Sequence, residues 1–245
     1  VVAVGGNLSI TATTGNITQG AAVAVTGTTT LKATTSNDIT LDNASNDFQD
    51  AVKIDTGNDV TLVDANAIEL GASTVSGTYA VTATSGNITN SGNLIITGAA
   101  TFITVATGSH IILDASGNAF AAAVTMRAGN GTNAAFGNIT FVDSEGVKLH
   151  TSAGTNGDLF IDGHPDRAVG GNLSITATAG DITQGALAVT VTGTSSFTTL
   201  TNNRIITLSN TGNAFASAVT LSTTGSSAHA ILDNGTADID IAAAS

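Results

Sequence analysis

The sixteen residues GGNLSITATTGNITQG, Gly5 to Gly20, return almost unchanged as GGNLSITATAGDITQG, Gly170 to Gly185. A weaker copy, YAVTATSGNITN, runs from Tyr79 to Asn90. A second block follows each copy in the same order: NDFQDAVKI from Asn46, GNAFAAAVTM from Gly117 and GNAFASAVTL from Gly212. Such self-similarity indicates a tandem array. We therefore divide the chain into units of about 1–76, 77–169 and 170–245, a single segment of a longer repeat protein.

A shorter period lies inside each unit. Apolar residues recur about 23 positions apart and form three parallel files, which predicts three strands per coil and roughly ten coils of a β-solenoid. The files of the three units are Leu8, Leu31, Ile54; Ile17, Ile39, Leu62; Val25, Phe48, Leu70; then Tyr79, Phe102, Val124; Ile88, Ile111, Phe141; Ile96, Phe120, Leu149; then Leu173, Phe197, Leu221; Ile182, Ile206, Ile231; Val191, Phe215, Ile239.

Local patterns agree with short strands. Apolar and polar residues alternate in Leu8–Thr11 and Ile39–Asp42, as they do in a half-buried strand. Gly and Asn stand between the strands, and both residues tolerate the backbone angles of tight turns. Because equivalent residues of stacked coils should form ladders, Phe120 and Phe215 are predicted at equivalent inner positions, one unit apart.

The stretch from Arg127 to Gly170 departs from the period. It carries about one coil's worth of additional residues relative to the other units. Either one extra, irregular coil or two protruding loops would accommodate them, and we favour an irregular coil with a loop at its corner.

Composition excludes several classes of function. Charged residues make up 10% of the chain and the net charge is −12. Nucleic acids and anionic lipids both require Lys and Arg, so neither is an expected partner. The chain has no Cys, which excludes disulfides and thiolate metal sites. We see no apolar run long enough to enter a membrane.

The densest polar cluster is a predicted surface loop containing Asp162, His164, Asp166 and Arg167. It could be a ligand or catalytic loop, but we favour a solvated corner loop with local ion pairing, since residues adjacent in sequence rarely converge on one substrate atom. The histidines show no metal-binding spacing: His110, His150, His164 and His229. We therefore predict no catalytic, cofactor or metal site.

Asparagine is the second polar theme. Asx pairs such as Asn37-Asp38, Asn46-Asp47 and Asn58-Asp59 leave weak calcium binding open, but no calcium-loop motif occurs. Glycosylation sequons begin at Asn7, Asn16, Asn43, Asn87, Asn130, Asn138, Asn172 and Asn234. Corner asparagines followed by strand threonines would generate such sequons without any glycan. An ice-binding face would need a regular outward file of threonines, and in the sequence their positions wander between coils.

The strings GNITQGAAVAVTGTTTLKA, NDITLDNASNDFQDAVKI and VTLVDANAIELGASTVSGTYAVTATSGNIT resemble the repeats of filamentous haemagglutinin-like proteins, bacterial exoproteins exported by two-partner secretion. The resemblance implies a right-handed parallel β-helix (β-solenoid), secreted to the bacterial cell surface through an outer-membrane transporter. It implies a role as the shaft of an adhesin or filament, with surface glycans or proteins of host or neighbouring cells as partners. The family's secretion domain, with its Asn-Pro motifs, is not in this stretch.

Two other functions remain open. A self-associating sheath or surface-layer subunit would use head-to-tail or lateral contacts between copies of the chain. A polysaccharide-active β-helix enzyme would need acids and bases gathered along one groove, whereas the six Lys and Arg residues are scattered. We expect a structural protein rather than an enzyme.

Overall fold

The computed structural model describes residues 1–129, 137–149, 158–161 and 168–244. These residues form strands and turns without helices, and the strands stack as a β-solenoid of about 9 turns with a spacing of about 23 residues. Every pairing between neighbouring strands that the structure describes is parallel, as in Ile17↔Ile39 and Leu31↔Ile54. The predicted fold class is confirmed, and the number of turns agrees with the roughly ten coils that the sequence predicts.

The first unit contains eleven of the strands as they occur along the chain. They are β1 (Val2–Val4), β2 (Leu8–Thr11), β3 (Ile17–Thr18), β4 (Val23–Val25), β5 (Thr29–Lys32), β6 (Ile39–Leu41), β7 (Asp47–Phe48), β8 (Val52–Thr56), β9 (Val60–Asp64), β10 (Ile68–Leu70) and β11 (Ser73–Val75). The middle unit follows with β12 (Tyr79–Ala83), β13 (Ile88–Asn90), β14 (Leu94–Ile96), β15 (Ala100–Thr104), β16 (Ile111–Leu113), β17 (Ala119–Phe120), β18 (Val124–Ala128), β19 (Ile139–Asp143), β20 (Val147–Leu149) and β21 (Asp158–Ile161). The last are β22 (Ala168–Val169), β23 (Leu173–Ala177), β24 (Ile182–Gln184), β25 (Thr190–Val191), β26 (Ser195–Thr199), β27 (Ile205–Leu208), β28 (Ala214–Phe215), β29 (Val219–Ser222), β30 (His229–Leu232) and β31 (Ile241–Ala244).

Two long sheets run the length of the solenoid. Sheet I has eleven strands in the order β2-β5-β8-β10-β13-β16-β19-β23-β26-β29-β31. Sheet II has eleven in the order β3-β6-β9-β12-β15-β18-β21-β20-β24-β27-β30. Three short sheets of three strands close the remaining side: β1-β4-β7, β11-β14-β17 and β22-β25-β28.

The side formed by the short sheets, here called the short side, changes its place in the order of strands along the solenoid. In the first and last turns a short strand precedes the strand of sheet I, whereas from β10 to β18 it follows that strand. The change occurs at β8, whose first residue Val52 pairs with Leu70 of β10 while Gly57, just after its end, pairs with Val75 of β11. Leu70 therefore lies in sheet I and not in the file of Val25 and Phe48, which corrects the sequence-based grouping.

Equivalent segments of the repeat consequently occupy different sheets. β2 and β12 begin the first two copies of the repeated block, yet β2 belongs to sheet I and β12 to sheet II. β12 is the tenth strand after β2, whereas three full turns contain nine strands. The second copy of the block therefore begins one side further round the solenoid than the first. After the additional residues of the middle unit, β23 is back in sheet I. The near-identical blocks at Gly5 and Gly170 thus lie on the same sides of the solenoid.

The additional residues between Arg127 and Gly170 contribute strands to sheet II. β20 and β21 both lie in that sheet, and β21 stands between β18 and β20, so the described strands depart from sequence order here. On the opposite sheet, β19 pairs with β23 along five residues, which keeps sheet I continuous across the irregular stretch.

The core is aliphatic with one aromatic stretch. In most strands buried and outward residues alternate, so that Val60 and Leu62 of β9 are fully buried while Thr61 and Val63 face outward. In the middle unit the rings of Tyr79, Phe102, Phe120 and Phe141 touch in sequence, with centroids 5.8, 6.1 and 5.2 Å apart. Phe120 and Phe215 are both buried, as predicted, but they belong to different short sheets.

Candidate functional site

The polar loop predicted from sequence, with Asp162, His164, Asp166 and Arg167, lies outside the described residues. His150 also lies outside them. Of the remaining histidines, His229 is exposed near the C-terminal end and His110 occupies a corner between strands. Within the described ranges, no three His, Asp or Glu side chains are grouped closely enough to hold a metal ion.

The most ordered polar arrangement is a corner built around Asn46, which is completely buried. Its Oδ1 accepts hydrogen bonds from Nε2 of Gln19 at 2.7 Å and from the backbone N–H of Val23 at 2.9 Å. Its Nδ2 donates to Oε1 of Gln19 at 3.0 Å and to the carbonyls of Leu41 and Val63, both at 3.1 Å. One amide therefore satisfies backbone groups that the turn leaves without strand partners.

The last unit repeats this corner atom for atom. Nε2 of Gln184 donates to Oδ1 of Asn213 at 2.5 Å, and Nδ2 of Asn213 donates back to Oε1 of Gln184 at 3.0 Å. The N–H of Val189 donates to the same Oδ1 at 2.9 Å, as Val23 does in the first unit. The corner thus belongs to the repeat and not to one local accident of packing.

The middle unit carries a reduced version. Asn118 is buried and accepts from Nδ2 of Asn90 and from the N–H of Leu94, both at 2.9 Å. Asn90 stands where the other units have Gln, and its side chain is one methylene shorter. Asn90 still accepts from the N–H of Asp114 at 3.0 Å, so the link between neighbouring turns is preserved.

A second buried polar residue follows on the next turn of each unit. Oδ2 of Asp64 accepts from the N–H of Phe48 at 2.7 Å, and Oδ1 of Asn234 accepts from the N–H of Phe215 at 2.7 Å. Asp143 occupies the same place above Phe120 and accepts from its N–H and from those of Ser144 and Glu145. The backbone of each short-sheet Phe is thereby tied to the following turn.

Burial makes the two carboxyl groups of this set unusual. It raises the pKa of Asp64, although hydrogen bonds from the N–H groups of Phe48 and Asn66 oppose the rise. It raises the pKa of Asp143 to about 6, with the nearby Glu145 charge adding to the effect. Asn234 holds the equivalent position without a charge. The set consists of amides and of two carboxyl groups with raised pKa values in a closed corner, an arrangement that suits structural hydrogen bonding.

A third repeated feature occupies the corners before the long sheets. Oδ1 of Asn16 accepts from the N–H of Asp38 at 2.9 Å, and Oδ1 of Asp38 accepts from that of Asp59 at 3.2 Å. Before sheet I, a corresponding column contains His110. The ring atom Nδ1 of His110 accepts from the backbone N–H of Asn138 at 2.8 Å. The backbone N–H of His110 donates to Oδ1 of Asn87 at 2.8 Å.

These contacts give most of the sequon asparagines a structural task. Asn7, Asn16 and Asn87 each use Oδ1 to accept the N–H of a residue on the next turn. The same holds for Asn138 and Asn172, which accept from Asn172 and Thr194 at 2.9 Å. Their recurrence follows from the turn geometry, so the sequons by themselves do not argue for glycans.

Three segments of the chain, residues 1–55, 57–127 and 136–222, match the family model described as repeats of unknown function (DUF5649). The chain belongs to this family. Comparisons with curated proteins and with solved structures found no match. The match supports a repeat protein, while the resemblance to filamentous haemagglutinin-like adhesins stays a prediction.

The buried amide corners of these DUF5649 repeats were not predicted from the sequence. Asn46 was grouped with Asp47 as a weak calcium candidate, but its side chain points inward and its oxygen is occupied by two N–H groups. A signal was present in the sequence, since Gln19 and Gln184 close the two near-identical blocks at the same place. A polar residue that recurs at the same position of a repeat can indicate a buried structural hydrogen bond as well as a ligand-binding side chain.

Proposed function

We propose that this chain is a structural shaft of a secreted bacterial adhesin or extracellular filament, which holds functional parts away from the cell surface. The observation that carries the proposal is the continuity of the stack. Parallel pairing links one turn to the next in both long sheets, from Ile17 and Leu8 near one end to Leu232 and Ala244 near the other. At the strand spacing of about 4.8 Å, about nine turns give a rod of roughly 40 Å.

The polar corners also support a role in resisting mechanical force along the rod. In each unit, side-chain amides join residues on neighbouring turns at places where the backbone ladder is interrupted by a corner. Main-chain hydrogen bonds lie along the rod axis, so a pull between its ends is shared by every strand pair at each level. Buried polar groups that are fully paired make such a stack rigid.

The surface supports a passive role as well. The described residues contain a single ion pair, Lys53 Nζ to Asp55 Oδ1 at 2.7 Å, and the remaining acids give the chain its negative charge. They include no grouping of three metal-binding side chains. We infer a non-catalytic function whose partners, surface glycans or proteins, would be bound by other parts of a longer molecule.

The repeat itself provides the test. Because the segments after Asn7 and after Asn172 are nearly identical, removing residues 8–172 in frame joins equivalent positions and should shorten the rod without changing its cross-section. Duplicating residues 8–172 should lengthen it by the same amount. Both variants would be made in the complete protein on its producing cell. We expect shorter projections and weaker attachment to surfaces for the deletion, and longer projections with attachment retained for the duplication.

Attachment that is unchanged by the deletion would contradict the shaft role. The second candidate, a self-associating subunit, rests on apolar side chains exposed in the outermost turns, such as Val2 and Ile241, which a neighbouring turn would cover. The purified chain would then form end-to-end fibres in electron micrographs, and Val2→Lys together with Ile241→Lys would abolish them.

A further inference from the structure

Sheet I carries a regular array of hydroxyl groups on its outer side over the strands β19, β23, β26 and β29. Successive strands pair in register, so outward residues fall into straight columns. The first column contains Thr140, Ser174, Ser196 and Thr220, and the second contains Thr176, Thr198 and Ser222. We call these seven side chains the hydroxyl face.

The array is only partly visible as a period in the sequence. Ser174, Ser196 and Thr220 stand about one coil apart, but serine alternates with threonine in the columns and a much longer stretch separates Thr140 from Ser174. Threonines that wander in the sequence are therefore aligned in space by strand pairing. This corrects the argument that an outward file of threonines is lacking.

The hydroxyl face is rigid and uncharged. Each of its side chains is half-buried on a strand whose inward residues, such as Ile175 and Phe197, are fully buried in the core. Val142 completes the second column, and no outward residue of these four strands is charged. The first turns of the same sheet differ, since Lys32, Lys53 and Glu69 face outward there.

Geometry narrows the ligand that this face fits. The hydroxyl groups repeat at about 4.8 Å between strands and at about 6.7 Å between alternate residues of a strand, and the array has no cavity and no aromatic ring. A small molecule would need a concave site, and a sugar chain would gain from aromatic surfaces. A charged polymer would need charge of the opposite sign.

We propose that the hydroxyl face binds ice. Ice is a neutral, periodic solid of hydrogen-bond donors and acceptors, and the face presents a neutral, periodic set of such groups beside threonine methyls. Because strand pairing fixes the backbone of the array before contact, binding would cost little backbone freedom. This function is independent of the shaft role, and a rigid rod would hold the face outward in either case.

The purified chain tests the proposal. We expect a gap between its melting and freezing temperatures, and faceted growth of single ice crystals. Thr198 lies in the middle of the second column, between Thr176 and Ser222. Thr198→Lys and Thr198→Tyr should both abolish the gap and leave the circular dichroism spectrum and the thermal midpoint unchanged.

A matched substitution on the other long sheet is the control. Thr101 faces outward from sheet II, between Ala80 and Thr125, with similar exposure. Thr101→Lys should keep the full gap. The proposal is overturned if the unaltered chain shows neither a gap nor faceting, if Thr101→Lys removes as much as Thr198→Lys, or if the face retains insoluble neutral polysaccharide while leaving ice growth unchanged.

Discussion

Gln19 and Asn46, 27 residues apart in the chain, exchange two side-chain hydrogen bonds of 2.7 and 3.0 Å across neighbouring turns of the solenoid. Gln184 and Asn213 form the same reciprocal pair in the last unit. In both units the asparagine also accepts a backbone N–H and donates to backbone carbonyls at the corner. The repeat thus preserves a buried hydrogen-bonding unit in addition to its apolar files.

Asn46→Ala should destabilise the chain by about 3 kcal/mol, because it removes the side-chain partner of the Val23 N–H and of the Leu41 and Val63 carbonyls. Urea unfolding followed by circular dichroism measures the loss. The neighbouring Ser45 is exposed, and Ser45→Ala should change stability by less than about 0.5 kcal/mol. Equal effects of the two substitutions would show that the corner amide is dispensable.

Much of this fold is predictable because its signals are local. Alternation within β6 or β9 and the return of apolar residues after about one coil depend only on residues close in sequence. The change of the short side at β8 is not predictable in this way. It depends on whether Val52 or Gly57 lies at the corner, which pairing with the next turn decides.

The polar elements also differ in how far the sequence alone predicts them. A column such as Asn16, Asp38 and Asp59 recurs before each strand and could have been recognised as capping residues. The array that Ser174, Ser196 and Thr220 form with the neighbouring column is harder to recognise, because strand pairing decides which side chains share the outer side of one sheet.

Gly98→Ala should disrupt the stacking of corners. A Cβ atom at this residue would lie 2.3 Å from the carbonyl oxygen of Gly77 on the preceding turn, which also accepts the N–H of Gly98. Relief of this overlap requires backbone movement and should cost about 1–3 kcal/mol in thermal or urea unfolding. Gly20 has no atom within 4 Å of the corresponding position, so Gly20→Ala serves as the control. A stable Gly98→Ala variant would mean that turns can separate at this corner.

His110→Asn should preserve stability, whereas His110→Ala should lower it by about 1 kcal/mol. Nδ1 of His110 accepts the backbone N–H of Asn138. In the same column, the side-chain oxygens of Asn87 and Asn138 each accept a backbone N–H from the next turn in the same way. An asparagine can replace that acceptor and an alanine cannot. Urea unfolding midpoints of the three proteins make the comparison, and equal midpoints for asparagine and alanine would contradict this role of the imidazole.

Thr29→Val should stabilise the chain by about 1 kcal/mol, since it removes a buried hydroxyl and keeps the shape of the side chain. Thr29 is fully buried in β5, and its Oγ1 has no hydrogen-bond partner among the described residues. Thr30 faces outward from the same strand, so Thr30→Val should have little effect. A rise in the thermal midpoint that is specific to Thr29→Val is the expected result. A fall would indicate that the hydroxyl is hydrogen-bonded in solution.

Asp143→Asn should make the chain more stable above pH 6 and flatten its dependence on pH. Burial raises the pKa of Asp143 from 3.8 to about 6, so the folded state holds this proton more tightly than the unfolded state does. The stability that it contributes is therefore complete below about pH 4 and decreases as pH rises towards 6, by roughly 3 kcal/mol. The raised pKa of Asp64 adds a change of the same sign. Urea unfolding between pH 4 and 8 measures the curve.

Asparagine is a suitable replacement because Asn234 already accepts the N–H of Phe215 at the equivalent corner. Asp42 is exposed and lies outside this corner, so Asp42→Asn is the control substitution. If Asp143→Asn instead lost stability at pH 7, its carboxylate would be contributing more through the N–H groups of Phe120 and Glu145 than burial of its charge costs.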